Sequence, residues 1–166
     1  GLVLAKGKSK GLSKKNFRKI GGLSLTEICL KNAKKSKLIS RLIFSSENED
    51  LIKIAKKNSV ESPFVRPKIL TKDNVSSYDV ARHAVNFLKK KENWIPDYVV
   101  VLQPTTPFRN SSDIDKTILK TIKFKSDAGM TITKNLYSPF WALKKKNYLL
   151  PLFPKAIKSS NRQSLK

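Results

Sequence analysis

Short, wholly apolar runs alternating with stretches of helical period constrain this chain more than any other feature. Leu2-Val3-Leu4-Ala5, Leu42-Ile43-Phe44 and Tyr98–Leu102 are too short for buried helices and suit strands covered on both faces. Between them, Ser24-Leu25-Thr26-Glu27 has the spacing of a capping box. Ile28, Cys29, Ala33 and Leu38 give the following helix one buried side. Ser46 to Glu49 repeats the capping spacing ahead of Leu51, Ile52, Ile54 and Ala55. Val80, Ala84, Val85, Phe87 and Leu88 mark a longer helix, and Ser112 is the expected cap of one carrying Ile114, Ile118 and Leu119. Ser59–Phe64, Ala128–Thr133 and Phe140–Leu143 read as further short strands, the first weakened by Pro63. The alternation predicts an α/β fold: a mostly parallel sheet with helices on both faces. Ligands in such sheets sit beyond the carboxyl ends of the strands. That rule selects three segments: Lys6–Asn16, Ser45–Asn48 and Gln103–Arg109.

Charge comes next, because it invites a different reading. The chain has 166 residues and a net charge of +23. Phosphate contacts with nucleic acid are made by Lys and Arg, so the sum alone points there. The distribution argues against it. Only Arg18, Arg41, Arg66, Arg82, Arg109 and Arg162 are arginine, and the lysines are spread over nearly every segment. Base-reading sites favour the bidentate arginine fork. Most of the excess is therefore expected on solvated helix surface, with no nucleic-acid partner. Cys29 stands alone, which excludes a disulfide scaffold. No apolar run approaches the roughly 20 residues that cross a bilayer, so no membrane partner is expected. A reducing, cytoplasmic compartment is the expectation that follows.

The first selected loop, Lys6-Gly7-Lys8-Ser9-Lys10-Gly11-Leu12-Ser13-Lys14-Lys15-Asn16, has the composition of a polyanion cradle. Glycines let backbone amides approach an anion, and lysines add point charges. It is not a Walker A loop: Gly7-Lys8-Ser9 has the right tail, but the required earlier glycine would fall at Leu2. It also lacks the glycine spacing of a dinucleotide fingerprint. A polyphosphate is the natural guest; a flexible basic surface loop is the alternative.

The same residues carry a resemblance. Ala5-Lys6-Gly7-Lys8-Ser9-Lys10-Gly11-Leu12 followed by Lys15-Asn16 resembles the opening signature A-R-G-G-S-K-G, then K-N, of the CMP-sialic acid synthetase (acylneuraminate cytidylyltransferase) family. Ser45-Ser46-Glu47 is similar to that family's S-T-D. Pro63-Phe64-Val65-Arg66-Pro67, with Leu70, Asp73, Ser76, Ser77 and Asp79, resembles its P-F-x-R-P segment and the helix start beyond. Leu102-Gln103-Pro104-Thr105-Thr106-Pro107-Phe108-Arg109 resembles L-Q-P-T-S-P-x-R. Ser138–Lys144 and Asn161-Arg162-Gln163 resemble later blocks, all in the family's order.

The resemblance implies a nucleotidyltransferase domain of Rossmann-like α/β fold over residues 1–166, truncated at its C-terminal end, that joins CTP to a nonulosonic acid. The products are a CMP-sugar and pyrophosphate. Charge develops on phosphoryl and leaving-group oxygens, so catalysis is positioning plus cationic stabilisation. Lys10 would be the main triphosphate cation and, with Arg162, a catalytic residue. Lys6, Gly7, Ser9, Gly11, Asn16, Arg66 and Ser76 would join Lys10 in holding the nucleotide. For Arg66 a solvated ion pair is the alternative. Gln103 would meet the sugar acid's hydroxyls through its amide, supported by Thr105, unless Gln103-Pro104-Thr105 is only a tight turn. Lys144 would face the acceptor carboxylate or the phosphate. Magnesium is expected with the polyphosphate, its ligands outside this chain, and the full-length protein is expected to be a homodimer. Arg109, His83, Cys29, Phe140 and Trp141 are expected to be structural.

Lys6 stands where the family has Arg, Lys8 where it has Gly, Ser13 where it has Pro, Leu23-Ser24 where it has Lys-Pro, and Ser164 where it has Asp. Should position 8 need a positive φ, a lysine there would cost about 1–2 kcal/mol. Two other functions compete. The 3-deoxy-manno-octulosonate cytidylyltransferases share fold and reaction but usually lack the Pro-Phe-Val-Arg-Pro and Arg-Gln blocks. A basic polyanion-binding module on a degenerate version of the fold would cluster its lysines away from the loop pocket.

Overall fold

Val3, Phe44 and Leu102 point to one side of a sheet, and Leu2 and Ile43 to the other, as the period of two in a strand requires. The computed structural model describes residues 1–9, 11–134, 142–145 and 149–152. The sheet is formed by β1 (Leu2–Leu4), β4 (Ile43–Ser45) and β5 (Val101–Leu102), in the order β4-β1-β5 and parallel throughout. Leu2 pairs with Ile43 on one side and with Val101 on the other. Four helices connect these strands and follow them: α1 (Leu25–Lys34), α2 (Glu49–Lys57), α3 (Ser77–Glu92) and α4 (Ser111–Lys123).

Each face of the sheet has its own core. On the first, Val3, Phe44 and Leu102 pack with Cys29, Leu30 and Ala33 of α1, Leu51, Ile52 and Ala55 of α2, and Ile114 of α4. On the second, Leu2 and Ile43 pack with Phe64 and with Ala81, Ala84 and Leu88 of α3. Strands covered on both faces must be apolar at every position, which is why these runs do not alternate in sequence. The chain passes from β1 to β4 on one side, then crosses back over β1 to reach β5. The loops after β1 and β5 therefore open beside each other at the carboxyl end of the sheet, the usual place for a ligand in this architecture.

The expected helices form, with two changes at their starts and one at an end: α1 stops at Lys34, so Leu38, expected on its buried side, lies beyond it and is exposed. Ser24 caps α1 in a complete capping box with Glu27. The second helix is capped by Asn48, whose side chain accepts the Leu51 amide at 3.0 Å, and not by Ser46. Ser46 is occupied one turn earlier, its hydroxyl accepting the Asn48 amide at 3.1 Å. The fourth is capped by Asn110, in a capping box with Asp113, and Ser112 lies inside the first turn. Asparagine is as good a cap as serine, so spacing alone could not choose between them.

The strands are shorter than expected. Within Tyr98–Leu102 only Val101 and Leu102 form β5, and Tyr98 and Val99 are exposed. Ser59–Phe64 makes only a single bridge, Glu61 to Ile43, with the Phe44 amide donating to the Glu61 carbonyl. Ala128–Thr133 forms no strand, and its Met130 and Ile132 are exposed. An unforeseen hairpin joins β2 (Lys19–Ile20) to β3 (Leu23–Ser24). Its turn residues Gly21 and Gly22 have φ of 56° and 82°, the left-handed values that a two-residue hairpin loop demands.

The chain divides into two compact units, Gly1–Met130 and Thr131–Lys166. The sheet, its helices and the cleft described below belong to the first. In the second, β6 (Leu143–Lys145) and β7 (Leu149–Pro151) pair antiparallel, and the Leu152 amide donates to the Ala142 carbonyl. Of the strand expected over Phe140–Leu143, Leu143 begins β6, and Phe140 and Trp141 lie outside the described residues.

Candidate functional site

At the carboxyl end of the sheet lies a cleft of about 270 Å³. One wall is the loop after β1, with Lys6, Lys8, Ser9, Gly11, Lys15 and Asn16. The opposite wall is the segment from Arg66 through Leu70 and Asp73 to Ser76 and Ser77 at the start of α3. Gln103, Pro104 and Thr105, after β5, close a third side. Three loops far apart in sequence therefore meet because each follows, or crosses back over, the same sheet edge. A larger cavity of about 330 Å³ sits at the amino end of the strands, around Leu38, Trp94 and Ile118, and carries none of the expected site residues.

The residues expected to hold a nucleotide divide by what they already touch. The Lys6 ammonium donates to the Thr71 carbonyl at 3.1 Å and to Asp73 Oδ1 at 3.4 Å, bridging two walls of the cleft. Asn16 is 5% exposed and donates through Nδ2 to the Lys6 carbonyl at 2.8 Å, while its own carbonyl accepts the Thr26 hydroxyl. Ser76 caps α3: its hydroxyl accepts the Asp79 amide and donates to Asp79 Oδ2. Gly7 lies behind the cleft wall, and its amide donates to Glu47 Oε1 at 2.8 Å. A Cβ there would come within 2.8 Å of the Asn48 side chain, so only glycine fits this approach. Around Gly11 the space is open. Lys8 is not among the residues with positive φ, so lysine at that position carries no left-handed strain.

Arg66 is not a solvated ion pair. It is 3% exposed, and Nε donates to Ser45 Oγ at 3.0 Å while Nη2 donates to the Ser45 carbonyl. Burial lowers its pKa from the ordinary arginine value, and the Glu47 carboxylate works in the opposite direction. The guanidinium thus fastens the Pro-Phe-Val-Arg-Pro segment to the end of β4 and puts a fixed positive charge under the cleft. His83 packs edge-on against Phe64, and burial, with the Arg66 charge, holds its pKa below the ordinary histidine value.

Gln103 bridges two elements. Its Nε2 donates to Ser77 Oγ at 3.5 Å, and its Oε1 accepts the Thr105 hydroxyl at 3.4 Å. Arg109 braces this loop from behind, donating through Nη2 to the Gln103 carbonyl and to Cys29 Sγ. Burial pushes the Cys29 thiol up to about 11, so it stays a neutral core group. Two residues with no role in the sequence reading take part: Glu47 behind the loop and Ser77 beside Gln103. Glu47 sits in the Ser45-Ser46-Glu47 block and Ser77 follows Ser76, but only tertiary contacts assign them partners.

Lys10 and Arg162 lie outside the described residues, and Lys144 lies on β6 in the second unit. Among the described residues no group of three or more His, Cys, Asp or Glu could hold a metal ion. Asp73 is the acid in the cleft wall, and it is engaged with Lys6. These residues do not by themselves make a magnesium site. The wall they make is cationic, rich in amides and hydroxyls, and suited to a polyphosphate attached to a polar group. No helix among the described residues is long and apolar enough to cross a membrane.

Comparison with known proteins agrees with this geometry. The chain is 32% identical over 125 residues to the pseudaminic acid cytidylyltransferase of Campylobacter jejuni, covering 75% of this chain and 53% of that protein. It is 31% identical over 144 residues to the post-translational flagellin modification protein B of Campylobacter coli, covering 85% and 60%. The chain thus spans little more than half the length of these relatives. Its fold matches the structure of a cytidylyltransferase from Leptospira borgpetersenii with a TM-score of 0.55 at 21% identity, over 74% of this chain and 48% of that one. The fold is a Rossmann-like nucleotidyltransferase fold. The family model for cytidylyltransferases matches residues 1–155, and on that match the chain belongs to the cytidylyltransferase family.

Proposed function

We propose that the protein transfers the cytidylyl group of CTP to a nonulosonic acid, releasing pyrophosphate and forming a CMP-sugar. The observation that carries this reading is the meeting of the lysine loop after β1 with Gln103 and Thr105 after β5 in one cleft. The sugar acid's anomeric hydroxyl attacks the α-phosphorus, and the bond to the bridging oxygen of the β-phosphate breaks. Negative charge grows on the departing pyrophosphate. Lys6, Lys10 and the loop amides stabilise it, and Arg66 supplies a buried positive charge below. Lys6 exchanges the Thr71 carbonyl and Asp73 for phosphate oxygens when the nucleotide enters. Gln103, held by Ser77 and Thr105, presents amide donors and an acceptor to the acid's hydroxyls. Roles for Lys144 and Arg162, toward the acceptor carboxylate or the phosphate, enter the proposal from the family resemblance alone.

Magnesium enters this reading as the companion of the triphosphate, which a cation must partly neutralise. A cytoplasmic location, where CTP is made, and a homodimeric whole protein belong to the same proposal. The relatives' names place pseudaminic acid first on the panel of acceptors. The test is pyrophosphate release by the full-length protein with CTP and magnesium, supplied in turn with pseudaminic, legionaminic, neuraminic and 3-deoxy-manno-octulosonic acids. Turnover with a nonulosonic acid supports the proposal. Turnover with the octulosonic acid alone would replace the acceptor class. Polyanion binding without turnover on any acid would replace the enzyme reading.

A further inference from the structure

We propose that Glu47 is a positioning residue which, together with Asn16, clamps the Lys6–Gly7 peptide group and so sets how the phosphate-binding loop leaves β1. The inference rests on the reading of that loop given above.

The two anchors grip one peptide unit from both ends. Asn16 Nδ2 donates to the Lys6 carbonyl at 2.8 Å, and the Gly7 amide donates to Glu47 Oε1 at 2.8 Å. In a trans peptide these two groups point in opposite directions, so anchors on opposite sides stop the plane from turning about its Cα–Cα axis. The clamp is needed because of Gly7. That glycine is required by the Asn48 side chain, which leaves no room for a Cβ. A glycine is also free to take up φ of either sign, so an unclamped Lys6–Gly7 peptide would flip at little cost. Without the anchors ψ of Lys6 and φ of Gly7 are also free to change independently, and a net change in either redirects the residues that follow, Lys8 and Ser9, which line the cleft.

Both anchors are themselves held. Asn16 is buried and tied to Thr26 of α1. Glu47 lies between Ser46, whose carbonyl accepts the Arg66 amide, and Asn48, the cap of α2. Its Oε2 is buried without a hydrogen-bond partner among the described residues, so its bonding to the protein is concentrated on the Gly7 amide. A charged acceptor on a backbone amide is among the stronger hydrogen bonds.

Charge alone predicts the opposite outcome on mutation, and that makes the proposal testable. Glu47 is a negative group beside a lysine-rich loop. If it were only electrostatic background, its removal would tighten binding of a polyanion. If it is a clamp, its removal loosens the loop and weakens binding. In the full-length protein, Glu47→Ala is expected to raise the KM for CTP and lower kcat/KM by about tenfold or more. Glu47→Gln keeps an oxygen that can accept the Gly7 amide and is expected to rescue most of that loss. Hydrogen exchange at the Gly7 amide should be slow in the wild type and in Glu47→Gln, and fast in Glu47→Ala. Calorimetric affinity for inorganic tripolyphosphate should follow the same order. Equal Gly7 exchange in the wild type and Glu47→Ala would overturn the proposal. So would CTP or tripolyphosphate bound by Glu47→Ala as tightly as by the wild type, or more tightly. Should Glu47→Ala fail to fold, Glu47→Ser, polar but too short to reach Gly7, takes its place with the same expected results. A wild-type protein that releases no pyrophosphate with any sugar acid would defeat the functional reading; exchange and tripolyphosphate binding would still decide the clamp.

Discussion

Lys6 and Arg66 are both cations at the cleft, yet their surroundings give them different work. Lys6 is partly exposed, with its ammonium on the Thr71 carbonyl and Asp73, partners that a triphosphate can displace. Arg66 is buried, with Ser45 as its main partner, and holds the floor in place. Lys6→Ala in the full-length protein should therefore weaken CTP binding by about tenfold, the worth of one charge-assisted contact. Lys10→Ala should lower turnover by about ten- to a hundredfold. Lys120→Ala removes the same charge from an exposed position on α4 and should change neither. Equal effects in all three, measured by pyrophosphate release and calorimetry, would mean that net charge and not position attracts the nucleotide. The sequence supplied the lysines and their loop. It could not supply the partners of Arg66, because Ser45 lies 21 residues away and meets it only across the sheet end.

Helix starts illustrate how far local chemistry reaches. Ser24 and Glu27 form the box that their spacing announces, because both partners lie within one turn and need nothing else. At α2 and α4 two candidate caps stand within a few residues, and the chain's approach to the helix decides between them. Asn110→Ala should cost about 1 kcal/mol of stability, whereas Ser112→Ala, inside the helix, should cost almost nothing. Denaturant midpoints of the two variants would separate them. The caps also set a pH dependence. Hydrogen bonds from Ser24 hold the Glu27 carboxyl below its usual pKa, and those from Ser76 do the same for Asp79; away from the caps, Ser36 does so for Asp115. A carboxyl with a lowered folded pKa stabilises the fold fully above its unfolded value, about 4, and loses that contribution as the pH falls through the folded value. The carboxyl share of stability should thus be level from neutral pH down to about 5 and decline below about 4, while His83, whose lowered pKa opposes protonation in the fold, adds a loss that begins below its unfolded value of about 6.5. In Ser24→Ala the Glu27 share of that decline should shrink, because the hydroxyl's hydrogen bond is lost while the backbone amide at position 24 still donates to Glu27. A midpoint profile identical to the wild type's would count against it.

The whole first unit depends on a sheet whose two faces are closed by different helices. Phe44 is fully buried against α1 and α2, so Phe44→Ala should cost about 3–5 kcal/mol. Leu88→Ala, on the α3 face, should cost about 2–5 kcal/mol. Thermal unfolding would measure both, and a loss under about 1 kcal/mol in either would contradict the packing described. The cleft as a unit should also discriminate among bases. CTP is expected to bind more tightly than ATP, UTP or GTP, and equal calorimetric affinities would reduce the cleft to a general phosphate trap. The sequence by itself determined the three strands of the parallel sheet and the four helices between and after them, because apolar runs and helical period are local properties of the chain, but it did not announce the β2–β3 hairpin. It determined the lysine and glycine content of the first loop and the family resemblance, which the family model bears out over residues 1–155. Strand lengths were decided only in three dimensions: Tyr98 and Val99 are apolar enough for a strand, but β5 pairs with β1 only at Val101 and Leu102. The cleft was decided there too. Lys6, Arg66 and Gln103 become neighbours only when β4, β1 and β5 lie side by side, and Glu47 acquires its role only when the Gly7 amide arrives from another strand's end. Pattern in sequence reports what each segment buries; which side chains then share one cleft depends on how separate segments cross the same sheet, a relation that no local period contains.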